Sequence, residues 1–258
     1  MRNFFLWTAI FLFIGYKSFA QNNRISNQNK IGWYNYFGTF KLNNKFGLHT
    51  EYQLRRNDII TTWQQGLLRV GINYQLNPGV LLRAGYAWIE TYPYGEIPIN
   101  GMGRDFTEHR IFQMLQLSHK QNRFDLSHRF MLEQRFVGRY SNALMKKEDE
   151  FPLLHRMRYM FRMQVPINNN VMSDKTLYAA FYDELFIGFG KNVNANIFDQ
   201  NRIGILLGYR VNSMVRIEGG YLNQILQLGR EVNNQNVFQY NNGFILNANF
   251  NFDFAKSK

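Results

Sequence analysis

The chain has 258 residues, of which 17% are aromatic and 19% are charged, and its formal net charge at pH 7 is +12. It contains no cysteine, which excludes a disulfide framework, a thiolate metal site and a lipid-modified N-terminal cysteine. A positive charge of this size can indicate nucleic-acid binding, but the export signal described next favours outer-membrane lipid and small anionic solutes as partners and argues against nucleic acid.

Residues 1–20 have the three parts of a signal peptide. Arg2 supplies a basic start, Phe4 to Ile14 form a short apolar core, and Ser18-Phe19-Ala20 place small residues at the positions that signal peptidase reads. The apolar core is shorter than the roughly 20 residues that a membrane-spanning helix needs. We therefore predict cleavage after residue 20 and export of residues 21–258, which have the length of one domain.

Beyond the leader, polar and apolar side chains alternate in one segment after another. In residues 153–165, Tyr159 and Phe161 fall on one side, whereas Arg158 and Arg162 fall on the other. A period of two indicates a β-strand, because successive side chains of a strand point to opposite faces. Such segments lie at 31–42, 45–55, 62–76, 79–90, 106–119, 123–137, 153–165, 176–189, 200–212, 214–226 and from Phe238 to Phe254.

The connections between these segments are of two lengths. Outer-membrane barrels combine short periplasmic turns with long outer loops, and each strand has one apolar and one polar face. The pattern therefore predicts an all-β fold, an antiparallel transmembrane up-and-down β-barrel. The short turns are at Asn43-Asn44, Asn77-Pro78-Gly79, Gln121-Asn122 and Asn212-Ser213, and the long loops are at 91–105, 138–150, 189–199 and 227–236.

The number of strands does not follow directly from the segments. About eleven can be counted, whereas bacterial single-chain barrels have an even number of strands. We predict about twelve, with a short additional strand in residues 21–30. The alternative is about ten, if one of the segments is wrongly divided.

The charged face of the strands decides which side meets lipid. One Arg at the bilayer midplane on the lipid side of a barrel costs about 2–4 kcal/mol, and roughly a dozen Arg lie on the polar face. The aromatic face is therefore expected to point outward and the Arg to line a polar lumen. The competing interpretation is a soluble periplasmic barrel with its aromatic face inside, which would need a ligand or a plug to fill it.

A series of short motifs adds a resemblance to a known family. In chain order they are Trp33, His109-Arg110, Arg129 with Glu133 and Arg135, Arg156-x-Arg158, Pro166, Asp183-Glu184, Gln200-Asn201-Arg202 and Gly220-Tyr221. With these motifs the chain resembles domain-of-unknown-function family 2490, over essentially the whole mature chain. The resemblance implies an exported outer-membrane β-barrel and no particular reaction.

The charged residues of the predicted lumen are the main candidates for a functional site. We expect Glu133 to lie opposite Arg110 and near Arg156, and Glu184 to lie between Arg158 and Arg202. Such pairs either brace the barrel structurally or form an anion-attracting constriction, and both interpretations stay open. The predicted lumen charge network comprises Arg110, Arg129, Glu133, Arg135, Arg156, Arg158, Arg162, Glu184, Arg202, Arg216 and Glu218.

Catalytic chemistry is less favoured. Ser118-His119 and Ser127-His128 pair a nucleophile with a base, but adjacent residues of a strand face opposite sides. No phosphate loop and no metal-binding spacing is visible, so no catalytic, cofactor or metal residue is predicted. Asp183 falls on the lipid face beside Glu184, and we expect a β-bulge to turn both inward.

The favoured function is that of a narrow pore or structural component in the outer membrane of a Gram-negative bacterium, with an anion-attracting basic lumen. One alternative is an outer-membrane barrel enzyme acting on lipid or envelope substrates. Another is a surface module that binds a partner through its long outer loops.

Overall fold

A computed structural model describes residues 24–193 and 196–256, and within them eleven β-strands close into one barrel. The predicted signal peptide, residues 1–20, lies outside the described residues. No helix in the described ranges is long and apolar enough to cross a membrane. The elements are β1 (Arg24–Lys41), β2 (Phe46–Asn57), β3 (Thr62–Asn77), β4 (Val80–Thr91), β5 (Phe106–Gln121), β6 (Phe124–Val137), β7 (Leu153–Pro166), β8 (Thr176–Phe189), β9 (Phe198–Arg210), β10 (Val215–Val232), β11 (Gln235–Asp253) and a 3-10 turn at Phe254–Lys256.

The barrel closes through a parallel strand pair. Each strand pairs antiparallel with the next along the chain, but β1 pairs parallel with β11 from Arg24 opposite Asn236 to Lys41 opposite Asp253. The predicted all-β closed barrel is confirmed, whereas twelve and ten strands are both wrong. An even number is required only when the closing pair is antiparallel, and residues 24–30 extend β1 instead of forming a separate strand.

Amide side chains join the two strands of this closing pair. Asn29 donates to the side-chain oxygen of Asn241 at 2.8 Å, and Asn35 donates to Asn247 at the same distance. The backbones also come unusually close, because a Cβ atom at Gly243 would lie 1.7 Å from the carbonyl oxygen of Ile31. Glycine is therefore required at this point for the strands to approach.

The two ends of the barrel differ. The rim that we call the short-turn rim carries the connections after β1, β3, β5, β7 and β9, all of them short except that after β7, residues 167–175. The opposite, long-loop rim carries the long connections after β4, β6 and β8 and the short ones after β2 and β10. The long loop predicted at 227–236 is wrong, because β10 and β11 run on and leave only Asn233 and Asn234 between them. Both asparagines have positive φ, 51° and 58°, which asparagine tolerates in tight turns.

The strands present large apolar side chains outward, and the interior holds buried polar and charged side chains together with three apolar clusters, such as the one around Trp33 and Tyr178. Ile72, Ile205 and Leu207 are each about 60% exposed on the outer surface, whereas Glu133 and Arg156 are buried. This distribution is the inverse of that in a soluble protein, in which charged side chains are seldom buried. The outer surface is therefore a broad apolar band.

Candidate functional site: a charged layer inside the barrel

The charged side chains of the barrel interior converge on Glu133, which β6 places at the centre and which is fully buried. Its carboxylate accepts hydrogen bonds from Arg156 at 2.6 Å and from Arg158 at 2.7 Å, both of them on the neighbouring β7. Arg69 and Arg110 each approach the same carboxylate to 3.9 Å. Four guanidinium groups thus surround one negative charge.

Toward the long-loop rim, two further carboxylates continue the network. Glu108 accepts a two-point contact from Arg110 and a 2.6 Å hydrogen bond from Arg135. Asp199 accepts from Arg135 at 3.2 Å and from Arg156 at 2.7 Å. Each carboxylate therefore bridges two arginines, which is a strong arrangement because guanidinium and carboxylate geometries match.

Toward the short-turn rim, the network ends on two other carboxylates. Glu184 accepts from Arg158 at 2.7 Å and from Arg129 at 2.8 Å. Glu51 accepts from Arg69 at 2.7 Å and contacts His49 at 3.2 Å. We call this ion-paired set the central layer; it comprises His49, Glu51, Arg69, Glu108, Arg110, Arg129, Glu133, Arg135, Arg156, Arg158, Glu184 and Asp199.

The structure brings seven of the eleven sequence-predicted site residues together in the central layer. They are Arg110, Arg129, Glu133, Arg135, Arg156, Arg158 and Glu184. Arg162 and Glu218 form a separate ion pair at 2.5 Å, which Tyr178 joins by donating to Glu218 at 2.8 Å. Arg216 lines the same interior but makes no hydrogen bond or ion pair to any described residue.

The expected pairings hold in part. Glu133 lies directly opposite Arg156 across β6 and β7, whereas across β5 and β6 it faces Phe112 and not Arg110. The expectation for Arg110 is therefore two residues out of register, although its long side chain still reaches to 3.9 Å. The structural outcome is a layer that spans several strands and not a set of simple cross-strand pairs.

Arg202 departs from the expected pairing with Glu184. The two residues are direct neighbours in the β8–β9 register, yet within the described residues Arg202 forms no ion pair with any carboxylate. Its guanidinium instead lies 4.9 Å from the ring of Trp33 and 4.5 Å from that of Phe186. The Nε atom donates to the side-chain oxygen of Gln200 at 2.9 Å.

Several residues of the central layer were not predicted from the sequence. Glu108 could have been predicted, because it precedes Arg110 by two residues and so shares its face. Asp199 could not, because strict alternation places it outside. A register shift between β8 and β9 occurs at Phe186 and Ile187, and it lets Asp199 and Gln200 both turn inward.

Asp183 contradicts the expectation of an inward turn. The β8–β9 register is regular at this point, and Asp183 lies exposed on the outer face, while Glu184 points inward. The side-chain amide of Asn201 donates to Asp183 at 2.6 Å. A hydrogen bond to an outward-facing amide therefore takes the place of the predicted bulge.

Two cavities lie inside the barrel on either side of the central layer. The larger, about 770 Å³, opens toward the short-turn rim and is lined by residues of all eleven strands. The smaller, about 460 Å³, lies toward the long-loop rim. Arg202 lines both cavities, so it stands at the boundary between them.

The loop between β4 and β5, residues 92–105, folds across the mouth of the smaller cavity. The buried Tyr94 hydroxyl donates to the side chain of Gln239 on β11 at 2.8 Å, and burial raises the pKa of this hydroxyl. Gln239 in turn donates to the carbonyl of Ile97 at 2.7 Å, and Arg230 donates to that of Pro98 at 2.7 Å. The loop is thus fastened to the far side of the barrel.

The two Ser-His dipeptides are not arranged as nucleophile and base. His128 contacts the hydroxyl of Tyr159 at 2.8 Å, and its ring stacks on that of His119 at 5.9 Å. Neither imidazole has a hydrogen bond to a serine in the described ranges. Nor does any group of three or more His, Asp or Glu among these residues have a metal-binding arrangement.

Comparison with known proteins identifies a family. No curated protein matches the chain. The solved structures include a similar one described as "NanC porin structure in rhombohedral crystal form", which has 11% identity and a TM-score of 0.46, and the match covers 85% of this chain and 97% of that one. The model of the family described as "Protein of unknown function (DUF2490)" matches residues 31–236. Since this match spans most of the chain, the protein belongs to the DUF2490 family.

Proposed function

We propose that the protein is an outer-membrane β-barrel whose outer face contacts lipid acyl chains and whose interior is a basic compartment that attracts small anions. The observation that carries the proposal is the inverted distribution of side chains. Ile72, Ile205 and Leu207 are exposed on the outside, whereas Glu133 and Arg156 are buried within. Soluble monomers rarely expose contiguous apolar patches of more than a few hundred Å², so a band around the whole barrel calls for a lipid environment.

The free-energy cost of placing Arg in lipid supports the same orientation of the two faces. An Arg facing lipid at the midplane costs about 2–4 kcal/mol, so a barrel with its charged face outward would lose tens of kcal/mol. The soluble alternative would bury the apolar face and expose the charges, which is the reverse of the burial of Glu133, Arg156 and Arg158. The polar face of the strands therefore lines the lumen, and the apolar face contacts lipid.

The excess of positive over negative side chains around the two cavities supports the attraction of anions. The residues that line the two cavities include six carboxylates, Glu51, Glu108, Asp125, Glu184, Asp199 and Glu218. They include more than twice as many arginines: Arg55, Arg69, Arg83, Arg110, Arg129, Arg135, Arg139, Arg156, Arg158, Arg162, Arg202, Arg216 and Arg230. An interior with such a surplus of guanidinium groups selects anions over cations.

The central layer argues for a closed interior and against a wide pore. Glu133, Arg156 and Arg158 are buried at the level that separates the two cavities, and their charges are fixed by ion pairs. Moving them aside would break several charge-assisted hydrogen bonds at once. The protein therefore holds anions within the barrel and passes them only through a narrow path.

Planar-bilayer recordings test this proposal. We expect the purified protein to give only small and brief conductance steps, with anions carrying most of the current. Detergent without protein serves as the control. A large and steady conductance would contradict the closed central layer, and preference for cations would contradict the basic interior.

A further inference from the structure

We propose that Arg202 is the centre of a binding site for a small organic acid, whose carboxylate is held by the free end of the Arg202 guanidinium from the smaller cavity. This inference rests on the proposed basic interior and assigns the group that binds an anion there. No other described arginine is as buried, contacts two aromatic rings and has terminal guanidinium nitrogens without a hydrogen-bond partner.

The terminal nitrogens of Arg202 have no partner within the described ranges. The side chain is buried, with 9% of its surface exposed, and only Nε is engaged, by Gln200. The adjacent Glu184 is already occupied by Arg129 and Arg158. Glu184 acts on the charge of Arg202 but is shared with Arg129 and Arg158, so an anion that enters and pairs with the terminal nitrogens of Arg202 gains free energy.

Two aromatic rings hold this guanidinium in place. Its central carbon lies 4.5 Å from the ring centre of Phe186 and 4.9 Å from that of Trp33. Both rings are almost fully buried, so they have little freedom to move. The fork is thus oriented before a ligand arrives, which lowers the entropic cost of binding.

Arg55 adds a second guanidinium that forms no ion pair with a carboxylate in the described chain. Its guanidinium lies 3.9 Å from the ring centre of Trp33, so both arginines contact the same indole. Its hydrogen bonds go to the side-chain oxygens of Gln53 and Gln65, which carry no net charge. Arg55 and Arg202 both line the smaller cavity, where their charges add.

The acids that line this cavity do not compete for Arg202. Glu108 is held by Arg110 and Arg135, and Asp199 is held by Arg135 and Arg156. Gln224 donates to Gln200 at 2.7 Å and so fixes the amide that orients Arg202. Carboxylate is the preferred ligand because the planar fork of arginine binds it at two points.

The cavity suits a small molecule. Its volume of about 460 Å³ lies within the roughly 300–1,000 Å³ that is usual for ligand pockets. The loop 92–105 covers its mouth, and Tyr94 is fastened to Asn241 and Gln239 on the opposite wall. A ligand of a few carbon atoms would therefore be enclosed between this loop and the central layer.

Ligand-observed NMR titration of the folded protein in detergent tests the site with lactate, its neutral isostere lactamide and inorganic phosphate. We expect lactate to bind and lactamide not to bind. Arg202→Gln should weaken lactate binding at least about tenfold, as expected for the loss of two charge-assisted hydrogen bonds. Arg216→Gln is the matched control, because Arg216 also lacks a partner but lines only the larger cavity.

The outcomes separate this site from the proposed function. Equal weakening by both variants would overturn the Arg202 site and leave the basic interior standing. Phosphate binding through Arg202 without lactate binding would overturn the carboxylate assignment. No binding of either anion would overturn the site, and the bilayer selectivity would then decide the proposed function separately. If Arg202→Gln does not fold, Arg202→Lys keeps the charge and loses the fork, and should weaken lactate binding severalfold.

Discussion

Glu133→Gln is expected to destabilise the barrel by about 3–5 kcal/mol, the usual cost of removing one partner from a buried ion pair. Glu133 is fully buried, and Arg156 and Arg158 both donate to its carboxylate. The neutral amide would leave these guanidinium groups, and the nearby Arg69 and Arg110, without their shared counterion. The four positive charges would then repel one another in a buried site.

Urea unfolding of the protein in lipid vesicles measures this loss, with heat-dependent migration on gels as a check on folding. Glu231→Gln is the control, because Glu231 is exposed and has no ion pair to any described residue. Combining Glu133→Gln with Arg110→Gln should give a loss smaller than the sum of the two. Equal stability of Glu133→Gln and Glu231→Gln would show that the layer does not hold the barrel together.

Ile205→Arg is expected to cost about 2–4 kcal/mol in a bilayer, because it places a charge on the lipid face near the midplane. Ile205 lies in the middle of β9, and 59% of its surface is exposed on the outside. Its removal opens no cavity in the interior, since the side chain points away from it. The effect therefore depends on the solvent around the barrel and not on its packing.

The control for this variant is Leu42→Arg in the turn after β1. Leu42 is 57% exposed and lies at the short-turn rim, beyond the apolar band. Urea unfolding of both variants in vesicles compares the free-energy cost of an introduced Arg at two depths. We expect Leu42→Arg to be nearly neutral. A neutral result for Ile205→Arg as well would favour a barrel surrounded by water.

The strands themselves were predictable from the sequence, because the period of a strand does not depend on its partners. The segment predicted at 176–189 coincides with β8 (Thr176–Phe189), and that at 153–165 differs from β7 (Leu153–Pro166) by one residue. In β7 large apolar side chains alternate with polar ones, and in β8 they alternate with tyrosines and small residues. The local pattern was sufficient there.

The closure of the barrel was not predictable in this way. The first part of β1, Arg24 to Lys30, contains few apolar residues and so lacks the usual signal of a strand. Its partner is β11, more than two hundred residues further along the chain, and the parallel direction of the pair depends on that contact. The same limit explains the loop wrongly placed at 227–236, where polar residues continue two strands.

For the candidate site, the sequence predicted the ion pairs of Glu133 with Arg156 and of Glu184 with Arg158, but not the other pairs of the layer. Glu184 and Arg202 are neighbours as expected, yet Glu184 pairs with Arg129, which comes from two strands away. Long arginine side chains reach across the interior, so their partners depend on the curvature of the whole barrel. Asp199 is inward only because of a local shift in register.

Collision measurements on spin labels test the orientation of the two faces most directly. The chain has no cysteine, so Ile205→Cys and Ser127→Cys each provide one labelling site, the first outside and the second in the larger cavity. In vesicles, we expect the label at residue 205 to relax mainly with oxygen, which dissolves in lipid, and that at residue 127 mainly with a water-soluble nickel chelate. Preferential relaxation of the residue 205 label by the nickel chelate would contradict a lipid-facing apolar band.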